Sequence, residues 1–194
     1  MKIILASKSG VRKNILDKYE IKSIVVPSNV DEDQVKEALL NKGADPEIVS
    51  KNLAELKSVK VSTKYPDHLV LGADSVISLN LKLINKPKSR EEAYDILKLL
   101  NGNKHYLISS VCISKNGAMI WNYTDKSELK MKKLSDIELK KYLSKIKTEI
   151  LLAYGVYQIE SGGLNLFEYI KGDKDSIMGL PIKQIKDYID SYKT

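Results

Sequence analysis

The segment HLVLGADSVISL, from His68 to Leu79, constrains this chain more than any other. It is the most apolar strand in the sequence, and it carries a carboxylate, Asp74, in its middle. A carboxylate at such a place is costly to bury without a partner. Asp74 therefore reads in one of three ways. It is a ligand for a divalent metal, a base with a tuned pKa, or an acid closing a turn at Gly72.

Around that strand, periodicity alternates between strand and helix. Lys2–Ala6 reads as a short strand, and Val11, Ile15, Leu16 and Tyr19 recur at helical spacing. Lys22–Pro27 is a second strand. Val35, Ala38 and Leu39 mark a helix ending at Gly43. Asp45-Pro46 starts the next helix, with Pro46 in its first turn. Its apolar stripe runs Val49, Leu53, Leu56, and Lys57 falls on the same inward side. Ser89 with Glu92, and Ser135 with Glu138, have the spacing of capping boxes. The first opens a helix buried through Ala93, Ile96, Leu97 and Leu100, and the second one buried through Leu139, Tyr142, Leu143 and Ile146. HYLISSVCISKNGAMIWNY is a hairpin turning at Asn116-Gly117, and Ser127–Leu134 continues it as a strand. A strand near Leu164–Ile170 and a final helix with Ile182, Ile185, Ile189 and Tyr192 inward complete the chain. The expected fold class is α/β: a mixed, twisted sheet with helices packed on it, in one domain over residues 1–194.

Composition narrows the function classes. No apolar run reaches the ~20 residues of a membrane span, and Ile3–Ala6 is too short for a signal-peptide core. The single cysteine, Cys112, forms no internal disulfide, fits a reducing cytoplasm and reads as a small buried residue. The net charge of +7 admits a nucleic-acid partner. Only Arg12 and Arg90 among 32 basic residues are arginine, however, and the lysines are scattered, which favours solvated faces over a nucleic-acid surface. In a chain that uses lysine almost everywhere, Arg12 suggests a need for the planar guanidinium fork.

The opening stretch LASKSGVRKNIL gathers Ser7, Ser9, Arg12 and Lys13 at one helix start. Cations are disfavoured there unless an anion is expected. Either this is a phosphate site or a serine-capped helix with two solvated cations. Asp31 and Glu32 stand at a strand-to-helix junction, as metal-binding acids or as an N-cap region. Lys86 precedes Pro87 at a strand end, and inward Lys57 needs an anionic partner. His68 and His105 are too isolated for a metal pair, and His105 is expected to bond locally. Trp121 reads as core. Taken together, inward lysines, a helix-start arginine and a buried acid suit phosphoryl chemistry, in which acids hold Mg²⁺ and a carboxylate activates water.

These segments match a known pattern in order. LASKSGVR, Asp31-Glu32, Leu53-Ala54 with Lys57, Gly72-Ala73-Asp74, Lys86-Pro87, Leu100 with Gly102 and His105, Gly172-Asp173 and Gly179-Leu180-Pro181 resemble the motifs of the Maf family of nucleoside triphosphate pyrophosphatases over nearly the whole chain. The resemblance implies an ITPase-like fold with two lobes around a cleft. It also implies a cytoplasmic, Mg²⁺- or Mn²⁺-dependent hydrolase, often a homodimer, acting in house-cleaning of nucleotides and cleaving a triphosphate to monophosphate and pyrophosphate. It assigns Asp74 as proton acceptor, and Glu32 with Asp74 to the metal. Ser7, Ser9, Arg12 and Lys13 fall to phosphate, and Lys57 and Lys86 to the catalytic site. A non-catalytic nucleotide-binding regulator of cell division is the alternative.

Departures from the pattern cluster where the family varies with substrate. Val11 stands where the dTTP/UTP branch has an arginine, Gly10 where it has proline, and Ser75 where it has threonine. Ala153 stands where lysine is common, and Glu160 where that branch has glutamine. The run IESGGLNLFE looks closer to the 7-methylguanosine triphosphate branch. A carboxylate complements the adjacent N–H donors of guanine, whereas a glutamine amide suits uracil or thymine. Glu160 thus reads either as a base-reading acid or as a structural acid at a turn.

Overall fold

The structure, a computed structural model, describes residues 2–159 and 162–192. In chain order the elements are β1 (Ile3–Leu5), α1 (Gly10–Lys18), β2 (Ser23–Val25), α2 (Glu32–Asn41), α3 (Pro46–Ser62), β3 (Val70–Leu79), β4 (Lys82–Ile84) and α4 (Arg90–Leu100). There follow β5 (Lys104–Lys115), β6 (Ala118–Met131), α5 (Asp136–Ser144), α6 (Thr148–Tyr154), β7 (Phe167–Lys171), α7 (Lys174–Ile177) and α8 (Ile182–Tyr192).

The strands form one mixed sheet in the order β2-β1-β3-β5-β6-β7, with β4 on β3. Pairing is parallel across β2, β1 and β3, and antiparallel beyond. The long β5–β6 ribbon turns where expected. Asn116 and Gly117 both take positive φ, of 49° and 75°, the geometry that matches the twist of paired strands.

The edge of β3 positions the site. β5 runs along one side of it, from Val70 to Ser78. On the other side β1 pairs only with Val70 and Leu71, and β4 only with Ile77, Ser78 and Leu79. Gly72 to Val76 therefore face an opening in the sheet, and Asp74 lies at its centre.

Two hydrophobic cores meet beside that opening. One gathers α4, α5, α6 and β7 around residues such as Leu97, Leu129 and Leu139. The other packs α1 and α8 on β1 and β3 through Ile15, Leu16, Ile185 and Ile189. Side chains of both line the same cleft, as the two-lobe expectation requires. Ser135 and Glu138 form the expected capping box. Ser89 caps α4, but Glu92 turns back to the Lys88 amide instead of that of Ser89.

Several sequence expectations are corrected. Leu56 is exposed, because the stripe of α3 rotates to present Ser50, Ala54, Lys57 and Ser58 to the sheet. Tyr192 is also exposed, near Tyr188, which itself stacks on Trp121. α6 and α7 escaped the sequence reading because both are shorter than the window over which helical periodicity shows. Among the described residues, no helix is long and apolar enough to cross a membrane.

Candidate active site

Close approach of α3 to β3 builds the site. A side chain at Gly72 would place its Cβ 2.1 Å from the Ala54 carbonyl oxygen and 2.7 Å from the Ser58 amide. Only glycine lets the helix lie so near, and the small residues of its inner face do the same from the other side. Ser50 Oγ donates to the Asp74 carbonyl, and Ser58 Oγ meets Ser114 Oγ at 2.7 Å. At that spacing the Lys57 ammonium reaches the strand.

Lys57 Nζ lies 2.8 Å from Asp74 Oδ1 and 2.8 Å from Glu32 Oε1. Lys57 and Asp74 are both buried, and Glu32 comes over from the first turn of α2. Burial pushes the Glu32 carboxyl up, but Lys57, with Lys86 and Lys36 beyond it, more than offsets this and holds it below the usual range. Asp74 Oδ2 is buried with no hydrogen-bond partner. Asp74 lies in extended strand, so it closes no turn at Gly72.

Successive strand residues face opposite sides of a sheet, so Ser75 serves the other face. There Arg12 reaches in from α1. Its Nε donates to the Gly179 carbonyl at 2.9 Å, and its terminal nitrogens to the Ala73 carbonyl at 3.0 Å, Ser75 Oγ at 3.1 Å and Ser7 Oγ at 3.3 Å. Burial lowers the Arg12 pKa, opposed by Asp74 and Glu32. The expected phosphate fork is thus largely engaged by the protein. Arg12 braces α1, β3 and the turn before α8, and contributes fixed positive charge. Ser9 caps α1 by accepting from the Arg12 amide, and Ser7 Oγ accepts from the Ser9 amide.

Lys13 does not line the cleft and pairs with Asp17 one turn on, an exposed contact along α1. Lys86 does line the cleft, and its Nζ donates to the Ala153 carbonyl at 2.8 Å. Its pKa is lowered by burial first and by Arg12, with Glu32 and Asp74 pulling the other way. Val11 and Ser75 also line the cleft. Glu160 lies outside the described residues.

The cleft has a volume of about 440 Å³, ample for a nucleotide-sized ligand. One end is charged, with Arg12, Glu32, Lys57, Asp74 and Lys86. The other is apolar, with Val76, Ile84, Leu107, Val156 and Ile159 among its lining. Sequence reasoning missed Lys8 and Lys36 on the charged side. Lys36 was findable: it stands four residues past Glu32, on the same face of α2. His105, expected to bond locally, is fully buried and meets Tyr157 Oη through Nε2 at 3.0 Å, 52 residues along the chain.

A divalent cation fits this carboxylate pair only in part. The partnerless Asp74 Oδ2 and the nearby Glu32 are oxygen donors of the type Mg²⁺ or Mn²⁺ takes. Among the described residues, no group of three or more His, Cys, Asp or Glu is placed to hold a metal.

Comparison with known proteins decides the family. The family described as Maf-like protein matches residues 2–192. The chain belongs to the Maf-like family. This Maf-like protein is 60% identical over 191 residues to the nucleoside triphosphate pyrophosphatase of Pelagibacter ubique, spanning 98% of each chain. It is 37% identical to the nucleoside triphosphate pyrophosphatase of Caulobacter vibrioides, over 96% of this chain and 94% of that one. It is 35% identical to the 7-methyl-GTP pyrophosphatase of Rhizobium etli, over 93% of this chain and 91% of that one.

Proposed function

We propose that this Maf-like protein is a single catalytic domain that hydrolyses nucleoside triphosphates to monophosphate and pyrophosphate. One observation carries the reading. A buried carboxylate with a free oxygen, Asp74 Oδ2, faces a cleft whose other charged groups are mostly cations. Asp74 Oδ2 holds a water and takes its proton as the water oxygen attacks the α-phosphorus. The bond to the α–β bridging oxygen breaks, and pyrophosphate leaves among Lys57, Lys86 and the charge of Arg12. Ser7 and Ser9 shape the helix start that faces the phosphates, and the apolar end of the cleft takes the base. Glu32 and Asp74 would hold a Mg²⁺ or Mn²⁺ ion, which supplies charge neutralisation on the triphosphate. The protein works in the cytoplasm as a homodimer, without a nucleic-acid or membrane partner.

The base preference follows from side-chain chemistry. Val11 places an apolar side chain at the cleft, where dTTP/UTP-cleaving relatives have an arginine, and Glu160 complements a guanine-like donor edge. The Rhizobium etli relative is named for 7-methyl-GTP. Pyrophosphate release from a nucleotide panel with Mg²⁺ or Mn²⁺ tests both levels. Turnover with a preference for guanine nucleotides, methylated or not, is expected. A preference for UTP or dTTP would overturn the base assignment, and absence of turnover with every triphosphate would overturn the activity.

A further inference from the structure

The two carboxylates that would hold a metal already share a cation. Lys57 Nζ sits 2.8 Å from an oxygen of each and links α2 to the sheet opening. Among the described residues no third His, Cys, Asp or Glu joins them. Hard divalent cations take six or more oxygen ligands, so a pair of carboxylates makes an incomplete cage. The remaining charged groups of this end of the cleft, Lys8, Arg12, Lys36 and Lys86, repel a free cation. Asp74 Oδ2 is buried there without a hydrogen-bond partner.

From this juxtaposition we infer that the Lys57 ammonium is a placeholder for the metal, which enters only with the triphosphate, and that Lys57 then passes from the carboxylates to a phosphate oxygen. The free enzyme keeps Glu32 and Asp74 balanced by an internal cation, so it needs no metal to hold them together. A metal–triphosphate complex brings its own oxygen ligands, completing the cage, and its phosphates give the displaced ammonium an anion of equal kind. Lys57 can make this exchange because a lysine is a mobile point charge on a flexible stem. The arginine beside it, fixed by four protein acceptors, cannot. The exchange would move the anchor of α2 from the lysine to the metal, since α2 buries none of its own residues and the Glu32–Lys57 pair ties it to the sheet in the free enzyme.

This inference rests on the proposed triphosphate chemistry, and it is tested on metal binding rather than turnover. Binding of Mn²⁺ is followed by the electron paramagnetic resonance of the free ion, first to the free protein and then with a triphosphate whose α–β bridge is a methylene. The wild type should bind Mn²⁺ at least tenfold more tightly with the analogue than without. In Lys57→Met, close in length and uncharged, Mn²⁺ should bind the free protein at least tenfold more tightly than it binds wild type, and the analogue should bind at least tenfold more weakly. A lysine that merely supports the carboxylates predicts the opposite sign, weaker Mn²⁺ binding on its removal, and that result overturns the inference. Should Lys57→Met fail to fold, Lys57→Gln is measured in the same way, and Mn²⁺ binding to that free variant no tighter than to wild type overturns the inference. A wild type that shows the exchange yet releases no pyrophosphate would leave the inference standing and overturn the function.

Discussion

Asp74 and His105 are both buried polar residues, and they have opposite roles. Asp74 pairs with Lys57 through one oxygen and leaves the other free for the cleft. Asp74→Asn preserves shape and lets Lys57 remain paired with Glu32, so the fold should survive with an unfolding midpoint near that of wild type. Pyrophosphate release should fall by about 10²–10⁴-fold, the usual contribution of a positioned base. His105 is buried neutral. Desolvation brings its pKa down to about 4, against a weaker opposing backbone bond at Asn103. The unfolded chain binds this proton near the ordinary value of ~6.5, so between about 6.5 and 4 the unfolded state is the more protonated one. The stability is whole above that window and is lost as pH falls through it, by up to on the order of 3 kcal/mol. Denaturant melts at pH 7, 5.5 and 4 should show this slope, and His105→Gln should flatten it.

At the scale of elements, the α3–β3 contact decides whether the site exists. Ala54 and Ser58 meet Gly72 at distances that leave no room for a methyl group. Gly72→Ala must push backbone against backbone, which costs on the order of 1–3 kcal/mol in overpacking. It should also pull Lys57 away from Asp74. The expected result is a lower denaturation midpoint together with at least a tenfold loss of pyrophosphate release. A variant that lost stability alone would show that the helix spacing is not what sets the ion pair. The LA–K and GAD motifs, quoted separately in the sequence, are thus two halves of one packing contact.

Across the whole molecule, the cleft joins two hydrophobic cores that do not otherwise form one cluster. A ligand bridging its charged and apolar ends ties the cores together and stabilises only the folded chain. At a concentration 100-fold above Kd, binding adds about 2.7 kcal/mol. For a chain of this size that corresponds to a rise of about 5–10 °C in Tm. A guanine triphosphate analogue with a methylene bridge and Mn²⁺ should produce it in a thermal melt, and Mn²⁺ alone should not. A shift as large with Mn²⁺ alone would mean that the free protein already holds the metal.

Much of the site was legible in the sequence, because local rules act over short spans. An acid within an apolar strand, a lysine on an inward stripe, serines before a helix and an Asn-Gly turn each announce themselves within a dozen residues. So did the mixed sheet, through the alternation of periods and the long hairpin. The remainder depends on which distant groups meet. The rarity of arginine singles out Arg12, but nothing in LASKSGVRK says that it reaches the Ala73 and Gly179 carbonyls while Lys13 pairs with Asp17. Helical geometry sends adjacent residues to different faces, and only the packing of α1 against β3 and α8 selects the inner one. Nor does spacing reveal that Lys57 stands between Glu32 and Asp74. The sequence by itself determined which residues carry charge and which must be buried. The tertiary structure alone decided which charges share a partner, because that is set by the gap in the sheet and the approach of one helix to one strand.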